Sequence, residues 1–324
     1  MDPGYYNWLF HTASFADEYY KWGHGIVDDL WTTRWSEMKR ISIVRPPLPE
    51  QQKIAVYLDR ACAKIDETIA GTKQTIEEHK AWKASLIFEA VTGKCRIENG
   101  KCRMGGRKMR DSGVPWLGEV PEGWTIKRFK FVVKTLRKGN GITKDEVFAD
   151  GEIACIRYGE IYSRYNFVAK ECASRTNRRC VADPVYVERG DILFACTGEL
   201  VEEIGKNILY DGYEPCIAGG DILVASHNED PGFLNYYLNC HSSQFQKSRG
   251  KAKLKVVHAR TSDIGNIVVL LPSSVEQRTI ANYLDKKCAA IDRVIAEKEA
   301  LIADLEAYRK SLIFEVVTGK MAVA

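Results

Sequence analysis

The stretch PSSVEQRTIANYLDKKCAAIDRVIAEKEALIADLEAYRKSLIFEVVTGK, Pro272–Lys320, has a second copy upstream: PPLPEQQKIAVYLDRACAKIDETIAGTKQTIEEHKAWKASLIFEAVTGK, Pro46–Lys94. The two align without a gap, with about half the positions identical. Glu50-Gln51 answers to Glu276-Gln277, Tyr57-Leu58-Asp59 to Tyr283-Leu284-Asp285, and Ser85–Glu89 to Ser311–Glu315. Each copy reads as one long helix. Pro46 and Pro272 close a preceding strand-like run, good helix formers follow, and Gly93 or Gly319 stands where a C-terminal cap belongs. At 1.5 Å per residue, roughly 43 residues make a rod of about 60 Å.

An apolar seam at heptad spacing runs through Ala281, Leu284, Cys288, Ile291, Ile295, Lys298, Ile302, Leu305, Arg309, Leu312 and Val316. The first copy keeps that register as Ala55, Leu58, Cys62, Ile65, Ile69, Thr72, Ile76, His79, Lys83, Leu86 and Ala90. Such a rod cannot bury its stripe alone and needs a partner of matching length. The expectation is an antiparallel coiled coil, within one chain or between two. Leu58, Ile65, Ile69, Ile76, Leu86, Leu284, Ile291, Ile295, Ile302, Leu305 and Leu312 would carry helix pairing and partner docking. The polar seam residues, Thr72, His79, Lys83, Lys298 and Arg309, are of the kind that fixes register and orientation.

A length of 324 residues implies more than one unit. Hydrophobic content of 45% and charge of 28% are ordinary for a globular chain. No apolar run approaches the ~20 residues of a membrane span, and no signal peptide opens the chain, so a cytoplasmic location is expected. The ten cysteines are scattered, with Cys95 and Cys102 the closest pair and no C-x-x-C, so neither a zinc knuckle nor a redox motif is expected. Cys62, Cys196 and Cys288 sit in apolar patterns and read as small core residues. The net charge is only +4, but positive charge concentrates at Lys94–Arg110, Lys127–Lys144, Arg175–Arg179 and Lys247–Arg260. That distribution suits local contact with a polyanion.

The duplication begins at Met1. Asp2-Pro3-Gly4 opens an aromatic helix with Tyr5, Tyr6, Trp8, Leu9, Phe15, Tyr19 and Tyr20, and Asp230-Pro231-Gly232 opens another with Phe233, Tyr236 and Tyr237. Ile41–Val44 reads as a strand, as does Ile267–Leu270. Residues 111–229 have no counterpart in the first half, which therefore reads as lacking a front portion of about 120 residues, by the logic of repeats. Lys94–Arg110 is a basic connector with seven cations and one acid, Glu98. Short β-type runs follow at Lys130–Val133, Ile153–Ile156, Val185–Val187, Ile192–Ala195 and Asp221–Ala225, separated by glycine and proline turns. Closed by a helix at Pro231–Gln246, they suggest an α+β domain of mostly antiparallel sheet.

Enzymatic motifs are missing. Asp183-Pro184-Val185-Tyr186 lacks the second proline of an amino-methyltransferase loop, and Gly198 to Lys206 has the wrong spacing for a phosphate loop. The six histidines form no ligand spacing. No catalytic residue and no metal ligand is assigned. Nucleic-acid contact is better supported. Arg137, Lys138, Asn140 and Lys144 sit on a glycine-bearing loop; Arg175, Asn177, Arg178 and Arg179 form a second cluster. Tyr158, Arg164, Tyr165 and Asn166 interleave rings with polar groups. Lys247, Arg249, Lys251, Lys253 and Lys255 form a cationic run suited to phosphates. Arg and Asn are the side chains that pair bidentately with guanine and adenine edges.

Three stretches resemble the specificity (S) subunits of type I restriction-modification enzymes. DSGVPWLGEVPEGW from Asp111 resembles the opening of that family's target recognition domains. VERGDILF at Val187–Phe194, followed by Thr197-Gly198-Glu199, resembles a strand-turn-strand motif within them. Leu271–Gln277, LPSSVEQ, ahead of a long helix, resembles their repeated conserved regions. The resemblance implies an α+β fold: a target recognition domain of mixed or antiparallel β with helices, and two long conserved-region helices in an antiparallel coiled coil. It divides the chain into a remnant of a first recognition domain (1–45), a first long helix (46–94), a basic linker (95–110), a complete recognition domain (111–271) and a second long helix (272–324). It further implies a non-catalytic subunit that reads double-stranded DNA and docks a modification (methyltransferase) subunit and a restriction (motor/nuclease) subunit. S-adenosylmethionine, ATP and Mg²⁺ would reside on those partners and no cofactor on this chain. The shortened first domain suggests a homodimer whose chains cover each other's stub. The rival reading is a coiled-coil scaffold whose β domain binds protein.

Overall fold

The computed structural model describes residues 1–24, 32–251 and 257–323. In chain order it runs α1 (Pro3–Phe10), α2 (Ala13–Lys21), α3 (Trp35–Met38) and α4 (Leu48–Val91). A hairpin follows, β1 (Cys95–Glu98) and β2 (Lys101–Met104), then β3 (Met109–Asp111), β4 (Glu119–Pro121), β5 (Thr125–Arg128), β6 (Val133–Lys138) and β7 (Ile153–Ile156). Next come α5 (Tyr158–Ser163), β8 (Val168–Ala169), β9 (Ser174–Thr176), β10 (Tyr186–Val187), β11 (Ile192–Ala195) and β12 (Thr197–Gly198). The rest is β13 (Asn207–Tyr210), β14 (Cys216–Ala218), β15 (Ile222–His227), α6 (Pro231–Asn239), α7 (His241–Ser248), β16 (Val257–His258), α8 (Thr261–Gly265), β17 (Val268–Leu271) and α9 (Ser274–Val317). The fold is α+β, as the residues imply. No helix among the described residues is long and apolar enough to cross a membrane.

Two compact units divide the chain: residues 1–80 with 291–324, and residues 81–290. Both long helices contribute to each. In the first unit Leu58, Cys62, Ile65 and Ile69 of α4 share one core with Leu312, Ile313, Val316 and Val317 of α9 and with Tyr5 and Leu9 of α1. The N-terminal part of one helix thus meets the C-terminal part of the other, which is antiparallel pairing. Ile302 and Leu305 pack on the rim of this core, and Ile76, Ile291 and Ile295 are buried. Arg309 interrupts the seam at little cost, because its Nε lies 3.0 Å from Asp66 Oδ1 and its guanidinium stands over the Trp8 ring. Asp2 accepts from the Tyr5 N–H and caps α1, with proline at the first turn. Tyr5, fully buried, donates its hydroxyl to the Val44 carbonyl at 2.8 Å.

In the second unit two sheets face each other. One has the order β10-β14-β7-β9 and the other β6-β15-β11-β13-β8; β14/β7 and β13/β8 are parallel and the remaining pairs antiparallel. Ile156, Ala154, Cys216 and Ala218 from the first meet Leu193, Ile208, Tyr210 and Val224 from the second in a single core. Leu86 and Leu284 are buried in this unit. The duplication is legible atom by atom. The Asp2 N–H donates to Gln51 Oε1 at 2.9 Å, and the Asp230 N–H donates to Gln277 Oε1 at 2.9 Å. Trp8 Nε1 donates to Asp59, and the Tyr236 hydroxyl donates to Asp285.

Several elements depart from the sequence reading. Ile41–Val44 is not a strand: its repeat equivalent β17 exists by pairing with β5, and among the described residues of the first unit no segment pairs with 41–44. Lys130–Val133 is mostly a 3₁₀ turn over Phe129–Phe131 that folds the fully buried Phe129 inward, and the strand starts at Val133. The connector after α4 is no loose linker. Asn99-Gly100, both at positive φ, make the tight turn of the β1–β2 hairpin, and a disulfide joins Cys95 to Cys102. Cys62, Cys196 and Cys288, read as small core residues, are free and buried.

Burying a carboxylate in the helix seam should cost several kcal/mol. Ile65→Asp or Ile291→Asp is therefore expected to lower the thermal midpoint sharply, read by circular dichroism. An unchanged midpoint would show that these helices do not depend on each other.

Candidate nucleic-acid interface

Three segments of the second unit converge on one cleft of about 590 Å³: Gly141–Lys144 after β6, Arg157–Arg164 from the end of β7 through α5, and Gly220-Asp221 before β15. Their main chains cross closely. The Gly139 N–H donates to Ile222 O at 2.8 Å, the Asn140 N–H to Ala218 O at 3.1 Å, and the Gly219 N–H to Ile156 O at 2.8 Å. A side chain at Gly139 would run into the Gly219 carbonyl oxygen, so glycine here permits close approach and not flexibility. Lys144 and Arg164 are exposed, and Tyr158 offers a ring that is 39% exposed. Arg157, which sequence reasoning passed over, joins them. Its N–H donates to Glu160 Oε2 at 2.9 Å, and its guanidinium lies 3.6 Å from Glu160 Oε1. Glu160 is 4% exposed and also accepts from the Ser174 hydroxyl, so Arg157 is anchored at its base by a buried carboxylate. The only sequence signal was the R-Y-G-E spacing of a helix start with Glu at its third position.

The other sequence candidates separate into free and occupied groups. Lys138 is mostly exposed, 3.4 Å from Asp221. Arg178 and Arg179 are exposed on the 3₁₀ turn after β9. They flank Glu152 at the start of β7, whereas the cleft lies at its end, on the order of 10 Å away along the strand. Asn177 accepts from the Glu152 N–H there. Arg249 is exposed beside a separate hollow with Trp116, Arg128 and Phe245. Lys253 and Lys255 lie outside the described residues, as does Trp31.

Five candidates, with Tyr165, are committed elsewhere. Arg175 holds Gly151 O at 2.7 Å, Glu214 at 2.7 Å and Glu152 O, knitting β9 to its neighbours. Arg137 donates to Tyr186 O across to β10. Asn140 accepts the Val185 N–H at 3.1 Å, which uses the oxygen that base recognition needs. Tyr165 is buried with its hydroxyl accepting from the Ala173 N–H. Lys251 donates to Asp263 at 2.6 Å and to His258 O at 2.7 Å. Lys247 is the clearest correction: it is wholly buried, donating to Asn207 Oδ1 at 2.8 Å and Leu238 O at 2.7 Å beneath the Phe194 ring. Among the described residues no group of three or more His, Cys, Asp or Glu side chains is placed to hold a metal ion.

No protein-family model matches the chain. Curated relatives do. The MjaVIII specificity subunit of Methanocaldococcus jannaschii is 26% identical over 297 residues, covering 88% of this chain and 63% of its own. The EcoKI specificity subunit of Escherichia coli K12 is 23% identical over 301 residues, covering 87% of this chain and 58% of its own. Over nearly nine tenths of its length the chain is similar to type I restriction enzyme specificity subunits. It spans about three fifths of the length of those it matches. Among solved structures, a chain of a type I restriction-modification system superposes over 98% of this chain with a TM-score of 0.72 at 14% identity. The HsdS subunit of Thermoanaerobacter tengcongensis superposes over 99% with a TM-score of 0.52 at 15% identity. At those identities the likeness is one of fold, and it extends over both long helices and the sheets between them.

Burial depresses the Lys247 ammonium from 10.5 to about 7, and the two carbonyl-type acceptors it touches suit a neutral amine. The unfolded chain holds that proton up to about pH 10.5, so between about pH 7 and 10.5 it binds more protons than the folded one and stability rises with pH. Below pH 7 the penalty is fully present. Lys247→Met should remove this slope, read as chemical denaturation midpoints at pH 7 and pH 9.5 for both proteins. Parallel pH responses would mean the buried group does not titrate there.

Proposed function

We propose that this chain is a DNA-specificity subunit of a type I restriction-modification complex, non-catalytic itself, which directs methylation and cleavage by partner subunits. The observation that carries the reading is the likeness to specificity subunits over nearly nine tenths of the chain. The cleft supports it. Arg157, Arg164 and Lys144 supply donors for phosphate and base edges, and Tyr158 supplies an apolar face, all on a frame fixed by crossing main chains. Arg157, held at its base by Glu160, loses less freedom on binding than an unanchored arginine would, which adds to affinity. In this reading the paired helices are the platform on which a modification subunit and a restriction subunit dock. S-adenosylmethionine, ATP and Mg²⁺ chemistry belongs to those partners. The complex would act on double-stranded DNA in the cytoplasm.

Arg157→Ala or Arg164→Ala is expected to weaken binding to a preferred duplex by about 1–3 kcal/mol and to relax sequence preference. Arg249→Ala, on exposed surface away from the cleft, should weaken all duplexes alike and lower the salt slope by about 1. Titration of the complex against a duplex library at two salt concentrations measures both. Equal loss across all sequences in the two cleft variants would remove the cleft from base reading, and salt-independent binding would sink the DNA reading itself.

A further inference from the structure

Arg157 is the first residue after β7, at the N-cap of α5, and the chain around it leaves its side chain little room. Its predecessor Ile156 is fully buried and accepts the Gly219 N–H at 2.8 Å. A side chain at Gly219 would stand 3.4 Å from Arg157 Cα and 3.5 Å from its Cγ, so the stem of the arginine lies along bare main chain. On the other side Glu160, one turn on, accepts the Arg157 N–H at Oε2 and sits 3.6 Å from the guanidinium at Oε1. Glu160 is itself tied to β9 by the Ser174 hydroxyl, and Ser174 pairs with Cys155 in the strand that leads to Arg157. One buried carboxyl therefore holds both the backbone and the side chain of Arg157.

The atoms that the guanidinium keeps free decide what it can read. Its Nε is buried without a hydrogen-bond partner among the described residues, so the side-on edge of the fork is closed. The terminal nitrogens make no hydrogen bond among the described residues either, since 3.6 Å to Glu160 is a charge contact and too long for one. The side chain is 30% exposed, in the cleft with Lys144, Tyr158 and Arg164, and the end of the fork is what remains available. Two N–H donors side by side match a base edge that carries two acceptors. Guanine presents N7 and O6 in the major groove; adenine sets an acceptor beside a donor, cytosine offers a donor, and thymine one acceptor beside a methyl group. A phosphate also fits a fork, but it gains little from a fixed angle, and Lys144 and Arg164 are exposed cations that make no side-chain hydrogen bond or ion pair among the described residues. Aiming one arginine through a buried carboxyl matters where an angle is read.

We infer, resting on the DNA reading of this cleft, that Arg157 is a specificity-determining residue that selects guanine, its two terminal nitrogens donating to N7 and O6, and that Glu160 with Ser174 positions it. Glu160 acts through the arginine and touches no base. Removing its charge leaves the cation in the cleft but frees the angle of the fork, so base preference falls further than affinity for DNA at large.

The base analogue 7-deazaguanine carries carbon in place of N7 and still pairs with cytosine, so it removes one acceptor from one guanine. Each guanine of the preferred duplex is replaced in turn, and the complex is titrated against each duplex by fluorescence anisotropy. At one guanine the replacement should weaken binding by the unaltered protein at least about tenfold. The same replacement should cost Arg157→Ala less than about twofold, because the donor to N7 is already gone. Arg249→Ala should bind all duplexes more weakly and keep the full penalty at that guanine. Glu160→Gln preserves the shape of the side chain and should shrink the penalty to roughly two- to threefold. A Glu160→Gln protein that melts earlier yet keeps the full penalty would make Glu160 a structural residue only and overturn its positioning role. A penalty in Arg157→Ala equal to that of the unaltered protein, or a preferred duplex in which no guanine responds, overturns the guanine assignment and leaves the DNA reading standing. Absence of salt-dependent duplex binding removes the DNA reading, and the guanine assignment with it.

Discussion

An apolar stripe running along a helix of 44 residues, about 66 Å at 1.5 Å per residue, has to meet a stripe of similar length or remain wet. In the unit of residues 1–80 and 291–324 it is met by antiparallel contact: Leu58, Cys62, Ile65 and Ile69 against Leu312, Ile313 and Val316. The polar interruptions fit this arrangement rather than opposing it. Arg309 finds Asp66 and the Trp8 face, so a cation sits in the seam with a carboxylate and a ring that only the antiparallel order supplies. Register and direction are therefore set by a few polar contacts laid over a generic apolar surface.

The same local code is written twice and gives the same local structure twice. Asp at the cap, proline at the first turn and glutamine from the long helix produce matching hydrogen bonds at Asp2–Gln51 and Asp230–Gln277. These contacts are short in reach, so each copy makes them from its own residues. The strand that follows behaves differently. Val268–Leu271 pairs because Thr125–Arg128 is present, while the corresponding Ser42–Arg45 stays irregular. A helix closes its hydrogen bonds within itself, whereas a strand borrows them from a neighbour. An identical pattern can therefore be helix in both copies and strand in only one.

The basic clusters show how far charge counting reaches. Arg175, Arg137, Lys251 and Lys247 lie in cation-rich stretches, and each is consumed inside the domain by carbonyls, carboxylates or burial. Lys144, Arg164, Arg178, Arg179 and Arg249 remain exposed. Nothing in the one-dimensional pattern separates the two groups, since a long cationic side chain can snorkel out or fold back. Arg157, half-hidden behind Glu160, entered the cleft without standing in any cluster.

By itself the sequence determined the α+β class, the paired long helices, the duplication and the aromatic helix starts. These rest on periodicity, proline and glycine placement and repeated strings, all of which are local or self-referential. The motif strings carried the likeness to specificity subunits. Tertiary structure alone decided that Ile41–Val44 lacks a ladder, that Phe129 turns inward where a strand was expected, and that Lys247 sits beneath Phe194. It alone brought Gly141–Lys144, Arg157–Arg164 and Gly220-Asp221 to one cleft from three distant places in the chain. Those outcomes depend on which segments meet across the sheets. That is fixed by packing over long sequence separations, on which the spacing of neighbouring residues carries no information.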